Sequence, residues 1–174
     1  MHKFLHIRVP IKGAYFLVIL SFLVALSISF LAPVFPLYIK SLVQKEAYVG
    51  YVTAAIAVLF LISSFVVSRF LDSYNKRTLL KIGLLGSAAT VAALSVISTL
   101  HYFLILEIVR AFFLVSIYFT IALFIRDYAA SSNLGKLEGM NFTISNCAWL
   151  IGPLLGATMA EKFPISTIFL LGSI

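Results

Sequence analysis

The chain has 174 residues, 62% hydrophobic and 11% charged, with a mean hydropathy of +1.10 and a formal net charge of +7. Soluble domains carry about 25% charged residues, and a chain of this size could not bury so much apolar surface in an aqueous fold, so lipid is the solvent expected for most of it. Its basic residues fall in short gaps between apolar runs, which fits membrane flanks and argues against the nucleic-acid binding that net charge alone would suggest.

Lys3, Arg8 and Lys12 precede the first apolar run, Ala14–Ile39. That run is far longer than the about 7–15 residues of a signal-peptide core, so it reads as a true first span. Lys40, Lys45 and Glu46 bound it, and a second span follows at Val49–Phe70. The third, Leu79–Leu100, passes almost directly into the fourth, Tyr102–Ile125, with Thr99-Leu100-His101 as the expected hinge. Arg126 and Asp127 open a polar loop through YAASSNLGKLEG, and the fifth span is Met140–Ala160. After EKFP, where Pro164 can begin a helix without losing a needed donor, a sixth run starts at Ile165 and stops at Ile174. Long unbroken apolar runs point to helices. Barrel strands would show segments of about ten residues with alternating polarity. The expected fold class is therefore an all-α polytopic membrane protein with five full spans and an incomplete sixth.

With the N-terminus inside, the inner segments would hold Lys3, Arg8, Lys12, Arg69, Lys76, Arg77, Lys81, Arg126 and Lys136, and the outer ones only Lys40, Lys45 and Lys162. This favours a cytoplasmic N-terminus and a cell-membrane location. The run after Pro164 would reach only about 15 Å, half of a bilayer core of about 30 Å, which leads to the expectation of a piece of a longer protein. The alternative is a five-span protein with a short re-entrant tail. Cys147 is the sole cysteine and His2, His6 and His101 are scattered, so neither a disulfide, a metal site nor a cofactor is expected.

One stretch breaks the apolar pattern. SRFLDSYNKRTLLK, Ser68–Lys81, concentrates charge between the second and third spans. Within it Asp72 follows Ser68 by four, and Lys76-Arg77 follow Asp72 by four and five. This spacing resembles the signature loop of the major facilitator superfamily, written G-x-L-a-D-r-x-G-r-[RK]. Asp72 and the basic pair match. Ser68 and Asn75 replace the two glycines, serine being small enough for close helix approach and asparagine tolerant of a left-handed backbone. The fifth span carries AWLIGPLLGA, which is similar to the same family's g-x-x-x-G-P-x-x-G-G motif, best known from drug/proton antiporters. Gly152, Pro153 and Gly156 match, and Ala148 and Ala157 replace the outer glycines. Pro33 and Pro36 near the outer end of the first span are also similar to the family. The resemblance covers the whole chain as the first half of a twelve-helix transporter, with spans one to three and four to six as inverted repeats.

The resemblance implies a secondary active transporter working by alternating access. On that basis Ser68, Asp72, Lys76, Arg77 and Arg126 form a conformational latch on the cytoplasmic side, with Arg126 the best local partner for Asp72. Lys76 and Arg77 would hold the loop at the anionic leaflet. In the fourth span Glu107 and Arg110, three apart, share one helix face. The family often has an arginine in this helix, within an R-x-x-x-G-type motif tied to proton coupling. Arg110 fits that motif, although Leu114 stands where its glycine would be. The pair is thus the candidate coupling or cavity site. The other reading is an ion pair whose side chains snorkel outward.

Other polar residues of the spans include Ser21, Ser27, Ser29, Tyr118, Thr120, Asn141 and Asn146, serines there being mostly packing residues. The Asn-Phe-Thr triplet at Asn141 lies on the cytoplasmic side in this orientation and reads as chance. A cavity built mostly from apolar and aromatic residues suits a small amphipathic molecule better than a sugar, and the resemblance to drug/proton antiporters implies proton-coupled efflux. The expected partners are the lipid bilayer, that small-molecule substrate, protons, and a missing C-terminal half or a second copy. The rival reading is a non-transporting scaffold or assembly subunit. No Ser/His or paired-Asp constellation and no H-E-x-x-H motif supports an intramembrane enzyme.

Overall fold

The computed structural model describes residues 12–43, 45–71, 74–129 and 133–173. They form seven helices and, among the described residues, no strand: α1 (Lys12–Leu31), α2 (Val34–Leu42), α3 (Glu46–Phe70), α4 (Lys76–Leu94), α5 (Leu100–Tyr128), α6 (Leu134–Lys162) and α7 (Ile165–Gly172). Four of these, α3 to α6, are long and apolar enough to cross a membrane, and α1 with α2, bent by 41° at the break between them, brings the candidates to five when taken as one broken span. The chain is an all-α polytopic membrane protein.

Three boundaries differ from the sequence expectation. The run taken as one span to Ile39 is broken at Ala32-Pro33. Pro33 has no N–H to donate to Ser29 O and its ring crowds that carbonyl, so the chain tightens into a turn in which Ala32 N–H bonds Ser29 O at 3.2 Å. The hinge expected at Thr99-Leu100-His101 lies earlier, at Ser95–Thr99. There Ser95 and Val96 turn back onto Ala92 and Ala93, and Thr99 is the extended residue before α5. The polar loop is shorter than expected because α5 continues to Tyr128 and α6 already starts at Leu134.

α5 is the axis of the bundle and the most buried of the spans. It packs on α3 and α4, while α1 packs chiefly on α6. Exchanging α1, α3 and α4 with α5, α6 and α7 turns the α1–α6 contact into α5–α3 and α4–α5 into α7–α1, and leaves α1–α5 and α4–α7 in place. That is the pairing two three-helix repeats would give.

Two apolar clusters fill the bundle, one towards each end. Leu17, Leu114, Ile117, Ile121 and Phe124 pack at the basic end, where α3 meets α4 and α5 meets α6. Leu31, Val34, Ile39, Leu94, Phe103, Ile168 and Phe169 pack at the opposite end. There Tyr38 stands edge-on to Phe103 (5.5 Å) and Phe169 (5.0 Å), and Phe35 edge-on to Phe169 (5.5 Å). The Tyr38 hydroxyl donates to Ile97 O at 2.5 Å, which satisfies a carbonyl of the α4–α5 turn.

Lipid gives helices no hydrophobic reason to associate, so the contacts depend on close backbone approach and internal hydrogen bonds. Gly152 and Gly156 of α6 provide the approach. A Cβ on Gly152 would run into Ser29 Oγ and lie 2.8 Å from Phe30 N, and one on Gly156 would run into the Phe30 carbonyl oxygen. Ser29 Oγ donates to Ala148 O (2.8 Å), tying α1 to α6 at its proline bend. Gly86 plays the matching part on α4, where a Cβ would overlap the Phe113 ring.

Gly156→Val is therefore expected to destabilise the protein by about 1–3 kcal/mol through overpacking against backbone. Gly139→Ala, at an α6 position with open space around it, should be neutral or raise stability by up to about 1 kcal/mol. Thermal unfolding in detergent, followed by circular dichroism, compares the two.

Candidate functional site

The centre of the bundle holds its one buried ion pair among the described residues. Glu107 is 0% exposed and Arg110 7%. Arg110 lies ten residues beyond Leu100, about 15 Å along α5 at 1.5 Å per residue. One helical turn apart, the two side chains meet in a bidentate contact: Nε donates to Oε1 at 2.8 Å and Nη2 to Oε2 at 2.6 Å. Two bonds in a planar fork fix the guanidinium plane as well as its position. The side chains turn inward, so outward snorkelling does not occur. The guanidinium carbon also lies over Phe35 of α2, 4.6 Å from the ring centroid, and 5.8 Å from that of Phe60 of α3. A desolvated cation gains about 2 kcal/mol or more over an aromatic face.

Arg110 opens onto a pocket of about 230 Å³ that Ile28, Ala32, Phe35, Phe60, Leu114, Tyr118 and Trp149 complete. Its walls come from α1, α2, α3, α5 and α6, and only Arg110 and Tyr118 bring strongly polar groups to them. Leu114, at the glycine position of the arginine motif, sits one turn beyond Arg110 and forms apolar wall. Sequence reasoning found the ion pair but not Phe35, Phe60 or Trp149. Those rings come from other helices, and no spacing along the chain relates them to Arg110.

At the basic end, Lys76 Nζ meets Asp127 Oδ2 at 2.6 Å, joining the start of α4 to the end of α5. Each charge sits at the helix terminus whose dipole disfavours it, which the pairing offsets. Asp127 was not among the expected latch residues. Asn75 does not adopt a left-handed backbone. It is extended (φ −65°, ψ 121°) and caps α4, its Oδ1 accepting from Arg77 N at 3.0 Å. Ser68 does not sit in a helix contact either: it is exposed, and its hydroxyl donates to Phe65 O within α3 at 2.8 Å. Arg77 and Arg126 are exposed and make no ion pair among the described residues. Asp72 lies outside the described residues, and so does its expected contact with Arg126.

The fifth-span motif falls in α6. Gly152 and Gly156 are buried against α1, and Pro153 sits inside a helix that continues through it. Trp149, four residues before Pro153, is also the pocket residue of that helix. Ser27 and Ser29 serve packing, donating to Gly172 O (2.7 Å) and Ala148 O. Thr120 Oγ1 and Asn141 Oδ1 are enclosed without a partner among the described residues.

A family model described as the Major Facilitator Superfamily matches residues 17–174. An uncharacterized MFS-type transporter of Methanocaldococcus jannaschii is 22% identical over 158 residues, which cover 91% of this chain and 41% of that protein. The chain thus spans about two fifths of the length of this curated relative. No solved structure matches the chain significantly.

Removing one partner of the buried pair leaves the other charge uncompensated. Arg110→Met alone should cost about 3–5 kcal/mol, and adding Glu107→Leu should restore most of that. Unfolding of the two variants and of the wild type in the same detergent measures the coupling.

Proposed function

The chain belongs to the major facilitator superfamily, and from that premise we propose that it works as one half of a secondary active transporter that moves a small amphipathic molecule by alternating access. The observation that carries this reading is Arg110, a single guanidinium set into a mostly apolar pocket wall at the middle of the bundle. A charge within a membrane helix costs about 2.5–3.5 kcal/mol on insertion scales, and such residues mark substrate or ion paths. The pocket of about 230 Å³ is smaller than the about 300–1,000 Å³ of a complete small-molecule site. It supplies one wall, and a second bundle, on a C-terminal half or another copy, supplies the facing one. The non-transporting scaffold reading accounts for the packing but gives Arg110 no function.

In this scheme Glu107 is the proton carrier. Unprotonated, it neutralises Arg110 in the bidentate pair. Protonated, it releases the guanidinium to the pocket. Coupling to the proton gradient, efflux as the direction, and a cell membrane with the N-terminus inside complete the proposal. The latch of Ser68, Asp72, Lys76, Arg77 and Arg126 closes the cytoplasmic side in the same scheme. Its support is the spacing of the motif and the Lys76–Asp127 pair, which anchors the start of α4 beside the end of α5. An exposed pair of this kind contributes about 0.2–1 kcal/mol, enough to bias two states without freezing one.

Two experiments test the scheme. In proteoliposomes with an imposed pH gradient, a panel of small amphipathic acids, amines and neutral compounds should include one whose flux exceeds that of protein-free liposomes. Glu107→Gln should remove the dependence of that flux on the gradient, and full retention would sink the carrier role. For the latch, Asp72→Arg and Arg126→Asp should each lower flux, and the double reversal should recover it. If the double variant stays as impaired as the singles, the two residues are not partners.

A further inference from the structure

We infer that the substrate of this pocket is an organic monoanion with an apolar body, whose acid group binds the free edge of the Arg110 guanidinium. The inference rests on the transporter reading above and narrows its substrate class. A guanidinium has five N–H donors in a planar fork and two edges that each match a carboxylate. Glu107 takes one edge, that of Nε and Nη2, at 2.8 and 2.6 Å. The other edge, one N–H of Nη1 with the second N–H of Nη2, has no hydrogen-bond partner among the described residues. Nη1 is also absent from the enclosed polar atoms that lack a partner. It therefore remains accessible, on a residue that lines the pocket.

The remaining surroundings favour an anion there over a neutral group or a cation. Phe35 and Phe60 hold the guanidinium in place from 4.6 and 5.8 Å, so the edge is oriented before a ligand arrives and little ordering cost remains. No carboxylate lines the pocket among the described residues, and Glu107 is fully buried behind Arg110. An amine entering the pocket would meet the arginine with no acidic counterpart. Tyr118 adds one hydroxyl. Trp149 adds an indole N–H, and the rest of the wall, Ile28, Ala32 and Leu114, offers only contact surface to an apolar body. Charge-assisted bonds to an oriented fork are about twice as strong as neutral ones, so the acid group and not the body sets the selectivity.

Trp149 is the only tryptophan of the chain and lines this pocket, so its fluorescence reports occupancy without a label. The protein in lipid nanodiscs at pH 7 is titrated with three probes of one shape: cyclohexanecarboxylate, cyclohexanecarboxamide and cyclohexylmethylammonium. The expected result is a Trp149 response to the carboxylate at concentrations at least tenfold lower than to the amide, and none to the ammonium. The double variant Glu107→Gln/Arg110→Gln, which leaves no unpaired charge, should bring carboxylate and amide to within about twofold of each other. Equal affinity for carboxylate and amide in the wild type, or a preference that survives in the double variant, overturns the charge assignment and leaves the pocket as a transport site. A saturable response to the ammonium alone overturns it as well. No response to any probe overturns the pocket as a binding site, and the transporter reading of its wall with it.

Discussion

The pairing of Glu107 with Arg110 is the contact on which the middle of the bundle depends. In a bilayer neither charge can be left to solvent, so each exists there only because the other does. That requirement fixes the rotation of α5 about its axis, since the face carrying the pair has to point into protein. Once that face is inward, Leu114, Ile117, Ile121 and Phe124 follow it into the cluster at the basic end, and Phe103 into the cluster at the other. α3 and α2 then bring Phe60 and Phe35 onto the guanidinium. The polar pair thus organises an apolar neighbourhood, the reverse of the usual order in a soluble core.

The same scarcity of partners explains the other polar contacts between helices. Ser27 and Ser29 donate to main-chain carbonyls of distant helices, and Tyr38 to one in the α4–α5 turn. A carbonyl has a second lone pair that the helix leaves unused, so such a bond ties two helices without taking anything from either ladder. The tie at Ser29 coincides with the Pro33 bend and with Gly152 and Gly156, so the place where α1 bends is also the place where it lies deepest in α6.

The spans, the fold class and the central ion pair were legible because lipid imposes a length and a polarity that any single segment must meet alone. Breaks inside apolar runs were harder to place. At Ser95–Thr99 the chain contains no glycine or proline, and the group that stabilises the turn is a hydroxyl on Tyr38, more than fifty residues away. At Ala32-Pro33 the local signal was present, but apolar residues on both sides kept the run continuous by hydropathy. Asn75 does mark the start of α4, yet through its side chain, which caps the helix, and not through the backbone freedom its residue type suggests. The pocket was illegible for a deeper reason, because its rings come from helices whose contacts no spacing in one sequence encodes.

Phe35 belongs to two structures at once. Its ring covers Arg110 at the pocket and stands against Phe169 in the aromatic packing at the far end. It sits near the start of α2, just past the bend at Pro33, and α2 extends about 13 Å beyond that bend at 1.5 Å per residue. A swing of about 10° about it would carry the far tip of α2 some 2 Å, by the same geometry, while shifting Phe35, which lies nearer the bend, by less. α2 is therefore geared: large displacement at the rim, fine adjustment over the guanidinium. As one rigid piece, α2 would tie any opening of the aromatic end to the position of the ring over the charge.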